Sequence, residues 1–135
     1  MKRNLVITAA LALLATTAAS AQTVNVKATV PFSFIVGRST LPAGEYTLKA
    51  TSNGQIVELR NFDAKINQLV LSNSCESRTG TQSKLVFHRY GDRYFLRQIW
   101  TEGNNWGHEI PMSKREKEIA KSFSTEDVVL LAENH

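Results

Sequence analysis

Beyond residue 22, hydrophobic and polar residues alternate with a period of two along most of the chain. Gly, Pro and Asn break the alternation at short intervals, a pattern that predicts short antiparallel β-strands. In residues 23–30, Val24, Val26, Ala28 and Val30 fall on one face and polar residues on the other. Residues 32–36 continue extended after Pro31, which donates no ladder hydrogen bond and so marks an edge or a kink. Leu41-Pro42-Ala43-Gly44 reads as a turn with Pro second, followed by a strand over 46–50. Ser52-Asn53-Gly54 is a second turn, with the Asn-Gly pair typical of tight hairpins, and leads into a strand over 56–60.

The second half repeats the pattern with larger side chains. Strands are predicted over 66–71, 84–90 and 93–100, the last two joined by a turn at Gly91-Asp92 into a hairpin rich in aromatic and β-branched residues. Residues 72–82 read as a polar loop containing Cys75, and 101–107 as a loop carrying Trp106. After Pro111 the period changes. Ser113 followed three residues later by Glu116 is a capping-box pattern that predicts a helix over 114–123, with Ile119, Ala120 and Phe123 sharing a face. So short a helix is unstable alone and must dock on the sheet. Residues 128–132 supply a last strand. About eight strands and one short C-terminal helix predict a mainly β fold: a single antiparallel β-sandwich or small β-barrel.

The first residues break this picture. Lys2 and Arg3, an apolar run over 5–15, and Ala19-Ser20-Ala21 ahead of Gln22 reproduce the basic, apolar and small-residue zones of a secretory signal peptide. The run dissolves into Thr16, Thr17 and Ser20 short of the roughly 20 apolar residues that span a membrane. Cleavage after residue 21 is therefore expected, with a periplasmic or secreted product of residues 22–135. Gln22 stands where a lipid anchor would need Cys, and no later stretch reaches spanning length. Removing residues 1–21 from 135 leaves 114, enough for one domain. The same step takes away Lys2 and Arg3, so the formal charge falls from +4 to +2. The remaining basic residues are interleaved with acidic ones, which disfavours nucleic acid as a partner. With Cys75 the only cysteine, no internal disulfide can form.

Candidate chemistry is sparse. His88, His108 and His135 are the only histidines and lack the spacing that places two imidazoles on one ion, so neither a metal site nor a cofactor is expected. His88 reads as a wet or half-buried strand residue, and His108-Glu109 as a solvated loop pair, since the sequence shows no substrate site for a general base to serve. Cys75 has Glu76 beside it and no nearby histidine, the setting of an inert or partly buried thiol. No nucleophile elbow or phosphate-cradling glycine run is present. A non-catalytic envelope protein is therefore expected, binding an envelope protein, a glycan or a small amphiphile; a homo-oligomer is compatible with the sequence. The alternative is a small hydrolase-like enzyme whose motif-less site draws on His88, His108, Glu109 and Cys75. Tyr90, Tyr94, Trp100 and Trp106 are the candidate contacts for a ligand or partner, although a small core needs most of them; Trp106, between Asn105 and Gly107, is the one expected to be exposed. Lys114, Arg115 and Lys117 read as a solvated helix face.

Two motifs carry a resemblance. Val30-Pro31-Phe32-Ser33-Phe34-Ile35-Val36-Gly37, then Leu41-Pro42-Ala43-Gly44-Glu45-Tyr46, resembles the opening of an uncharacterised family of small secreted bacterial β-proteins with a Pro-Phe-x-Phe segment and a Leu-Pro-Ala-Gly-x-Tyr turn. Trp106-Gly107, Ile110-Pro111 and the run from Ser113 to Glu118 resemble that family's Trp and Pro ahead of a charged Ser-Lys-x-Glu helix. The resemblance spans most of residues 22–135 and implies an exported β fold, with no reaction attached. The Leu-Pro-Ala-Gly-x-Tyr turn alone is also similar to the Leu-x-x-Gly-x-Tyr turn of prealbumin-like sandwich domains in bacterial surface proteins.

Overall fold

The computed structural model describes residues 25–51, 55–76, 82–103 and 106–134, which form two packed β-sheets and one short helix. The predicted signal peptide and the Ser52-Asn53-Gly54 turn lie outside the described residues.

The first sheet contains β1 (Asn25–Val30), β4 (Gly44–Ala50), β5 (Ile56–Asn61), β6 (Ile66–Leu71) and β12 (Glu133–Asn134), in the order β12-β1-β4-β5-β6 and antiparallel throughout. Alternation dictates its faces: Val26, Ala28 and Val30 point into the interior, as do Tyr46, Leu48 and Ala50 on β4 and Val57 and Leu59 on β5. The second sheet runs β11-β8-β9-β10-β7, from β7 (Asn73–Glu76), β8 (Lys84–Tyr90), β9 (Arg93–Trp100), β10 (Trp106–Glu109) and β11 (Glu126–Leu131). A small hairpin of β2 (Phe34–Val36) and β3 (Ser39–Leu41) joins it, with β2 lying parallel to β9 at Ile35 and Phe95. Its two-residue turn puts Gly37 at φ 60°, a conformation that glycine adopts without strain.

The chain passes from one sheet to the other at both sides of the stack. β6 leads through Ser72 into β7, and β11 through Ala132 into β12. The sheets do not close on each other, so the fold is a sandwich and not a barrel. Leu85, Phe87, Leu96 and Ile99 of the second sheet meet the inner face of the first. Phe34 packs edge-on against both Tyr46 and Phe87, and Phe32 stacks on Tyr94 with ring centroids 3.8 Å apart. The Tyr46 hydroxyl donates to the Pro42 carbonyl at 2.6 Å, which ties the Leu-Pro-Ala-Gly-x-Tyr turn to the core.

Helix α1 (Lys114–Ala120) docks on the outer face of the second sheet, where Ile119 and Ala120 meet Ile35, Tyr90 and Phe95. It ends three residues earlier than predicted. Phe123 is largely exposed, so it does not share the buried face. Two predicted loops contain strands: β7 lies within the 72–82 segment, and β10 begins in the 101–107 segment and runs on to Glu109; β3 ends at Leu41, the first residue of the predicted turn.

Candidate functional site

The outer face of the second sheet holds a buried charged cluster, and its origin is a fault in strand register. Val86 pairs with Gln98 while Phe87 pairs with Leu96, so Arg97 is the extra residue of a β-bulge. Leu96 and Ile99 both face the core, and the bulge turns Arg97 outward beneath the segment that leads into α1. Its carbonyl accepts from the Ile110 N–H at 2.8 Å and its Nε donates to the Ile110 carbonyl at 2.7 Å. Its Nη1 donates to Glu116 Oε2 at 3.2 Å. One side chain therefore fixes both ends of the stretch from Ile110 to Glu116.

Glu116 is 2 % exposed, on a helix whose neighbouring Lys114, Arg115, Lys117 and Glu118 are all exposed. Tyr90 donates to its Oε2 at 2.9 Å. His88, half-buried, places Nδ1 3.6 Å from the same oxygen and 3.3 Å from Arg97 Nη1, and Nε2 3.4 Å from Asp127. Burial pushes the Tyr90 phenol above its ordinary pKa; the Glu116 carboxylate adds to this and a hydrogen bond with Thr125 opposes it. The expected helix cap is present, with Ser113 Oγ accepting from the Glu116 N–H at 3.1 Å. The carboxylate of Glu116 is spent on Arg97 and Tyr90. Sequence reasoning assigned Glu116 to the cap and passed over Arg97; only the register of the β8–β9 hairpin shows them as partners.

The braced stretch forms one wall of a groove of about 690 Å³. Gln68 to Leu71 of β6 form the opposite wall, Ile110 and Pro111 contribute apolar surface, and Arg38, Lys114 and Arg115 supply charge. No aspartate or glutamate lines it among the described residues. Gln68 is itself held, its Oε1 accepting from Ser39 Oγ at 2.9 Å.

The residues singled out in the sequence do not meet in this groove. Tyr90 and Trp100 are buried and Tyr94 is half-buried against Phe32, so all three serve packing. Trp100 lies flat on Gly107, where a Cβ would stand 2.5 Å from the indole, so only glycine fits there. Trp106 begins β10 opposite Glu76, and its side chain lies outside the described residues. His108 is not in a solvated loop as expected: it lies in β10 opposite Ile99, on the core-facing side, and is buried. The pleat puts Cys75, opposite Gly107, and Glu109, opposite Gln98, on the other face from His108. His88 belongs to the Glu116 cluster. Cys75 is partly buried; desolvation pushes its thiol up, Glu109 adds to the shift and a backbone hydrogen bond from Gly107 opposes it. Among the described residues no group of three metal-ligating side chains converges, and no helix is long and apolar enough to cross a membrane.

Comparison with known proteins gives no match: no family model, no curated protein and no solved structure is significantly similar to this chain.

Proposed function

We propose that this protein is an exported, non-catalytic binding domain of the cell envelope. Its binding surface is the groove between β6 and the stretch from Ile110 to Arg115. The observation that carries the proposal is the composition of that groove among the described residues: an apolar interior rimmed by three exposed cations and no carboxylate. Concave apolar surfaces with a few convergent polar groups are the usual form of a ligand site, and the cations select for negative charge on whatever enters. The signal-peptide pattern of residues 1–21 supports action outside the cytoplasm.

The test uses residues 22–135 and an anionic apolar dye, 1-anilinonaphthalene-8-sulfonate. Saturable fluorescence enhancement is expected, weakened at least about tenfold by Val70→Glu and to a lesser degree by Lys114→Glu, with the β circular dichroism spectrum retained. Enhancement that neither substitution alters would refute the groove as the binding surface. Export is tested separately: the N-terminal residue of protein recovered from the envelope fraction should be Gln22, and a retained Met1 would contradict it.

A further inference from the structure

We infer that the occupant of the groove is an extended, acidic polypeptide segment that adds to β6 as a further strand of the first sheet. The inference rests on the groove being the binding surface and goes on to name the partner's chemistry.

The backbone of β6 is the first reason. In the sheet order β6 has β5 on one side and, among the described residues, no strand on the other. The Ser72 N–H donates to the Gln55 carbonyl. Two-residue alternation then turns the main-chain groups of Val70, Gln68 and Ile66 toward β5 and those of Leu71, Leu69 and Asn67 toward the open edge. One rung of that edge already shows its need for a donor: the Leu69 carbonyl accepts from the Gln68 side-chain amide at 3.0 Å, where a neighbouring strand's N–H would otherwise reach. Such edges are the template for strand addition, in which main-chain hydrogen bonds supply affinity and alternate side chains supply specificity.

The surroundings of that edge identify the partner. Leu69 and Leu71 are 58 % and 69 % exposed and line the groove with Val70, Ile110 and Pro111, so apolar side chains of an added strand find apolar surface. Arg38, Lys114 and Arg115 face the same space, and among the described residues no carboxylate lines it, which favours an acidic partner. A second copy of this chain pairing edge to edge would bring the same cations together, so self-pairing is opposed. The Arg97 clasp holds the far wall in place before binding, which lowers the ordering cost of association. The six residues of β6 span about 20 Å, which sets a partner segment of similar length.

The decisive probes are an amidated decapeptide of alternating Val and Glu, its Val and Lys counterpart, and sodium dodecanoate below its micelle concentration. The acidic peptide should bind at least about tenfold more tightly than the basic one and should slow hydrogen exchange at the Leu69 and Leu71 amides. Arg38→Glu combined with Lys114→Glu should reverse the preference. Leu69→Pro removes an outward N–H without removing a β5 rung, so it should weaken peptide binding while dye binding persists. Dodecanoate binding without either peptide would overturn strand addition in favour of an amphiphile, leaving the groove as the site. Charge-reversed protein that self-associates and takes up neither peptide would overturn it too, showing the cations to be guards of a bare edge. Failure of the dye as well as the peptides would bring down the groove itself.

Discussion

The interior between the sheets and the layer beneath α1 are held in opposite ways. Between the sheets, Val26, Leu48, Leu59, Phe87, Leu96 and Ile99 share an apolar contact to which both sheets contribute. Beneath α1, the apolar contact is limited to Ile35, Tyr90 and Phe95 against Ile119 and Ala120, and one carboxylate with its partners does the rest. Many side chains share the load in the first region; in the second Glu116 and Arg97 carry it. The sandwich should therefore lose stability as a whole when its core is damaged. The α1 layer should come loose on its own, and the groove wall with it.

Phe87→Ala should show the first behaviour. Truncating a fully buried aromatic costs about 3–5 kcal/mol, read as a lower urea midpoint with an unchanged slope and a uniform loss of exchange protection. Glu116→Ala should show the second. Removing one partner of a buried ion pair leaves Arg97 unmatched, at a cost of about 3 kcal/mol. Exchange protection should fall over Lys114–Ala120 while the amides of β4 and β5 keep theirs, and dye binding in the groove should weaken. If β4 and β5 open together with α1, the two regions form one cooperative unit and the contrast fails. Ser113→Ala should produce a smaller loss confined to α1, about 1 kcal/mol, because the Glu116 N–H loses its acceptor.

The smallest effect is a dependence on pH. Burial raises the Tyr90 phenol above its unfolded value, so the folded state holds that proton more tightly. Its contribution is complete below the ordinary tyrosine pKa of about 10 and is lost as pH rises through the higher folded value. The Tyr46 phenol, raised by the same cause, acts in the same sense. Stability should decline above about pH 10, and Tyr90→Phe should flatten that decline; an unchanged alkaline slope would show that Tyr90 is not linked to folding.

The strands that were legible in the sequence are those whose period of two survives into burial: β1, β4 and β5 alternate as their residues predict, and the β8–β9 hairpin turns at Gly91 and Asp92. β7 gave no such signal because Asn73, Ser74 and Glu76 are exposed and Cys75 is only partly buried, so pairing with β10 alone makes it a strand. β10 was hidden among Asn and Gly residues for a related reason: Gly107 is required by the Trp100 ring, not by a turn. Arg97 was beyond reach, since strict alternation does not foresee an added residue in β9. Glu116 was misread because Glu three residues after Ser is also the mark of a helix start. The groove could not be seen at all, as its walls come from segments about 40 residues apart that only the fold brings together.

The pairing of β1 with β12 has a consequence for how the molecule comes into being. Val26 stands opposite Asn134 and Lys27 opposite Glu133, and the Ala132 N–H donates to the Ser83 carbonyl just before that contact. In a polypeptide that emerges amino end first, from a ribosome or through a membrane pore, the strand that lies along the outer side of β1 arrives only with residues 133 and 134. Completion of the first sheet thus waits for β12, and loss of Glu133 and Asn134 would bare β1 to any other strand nearby.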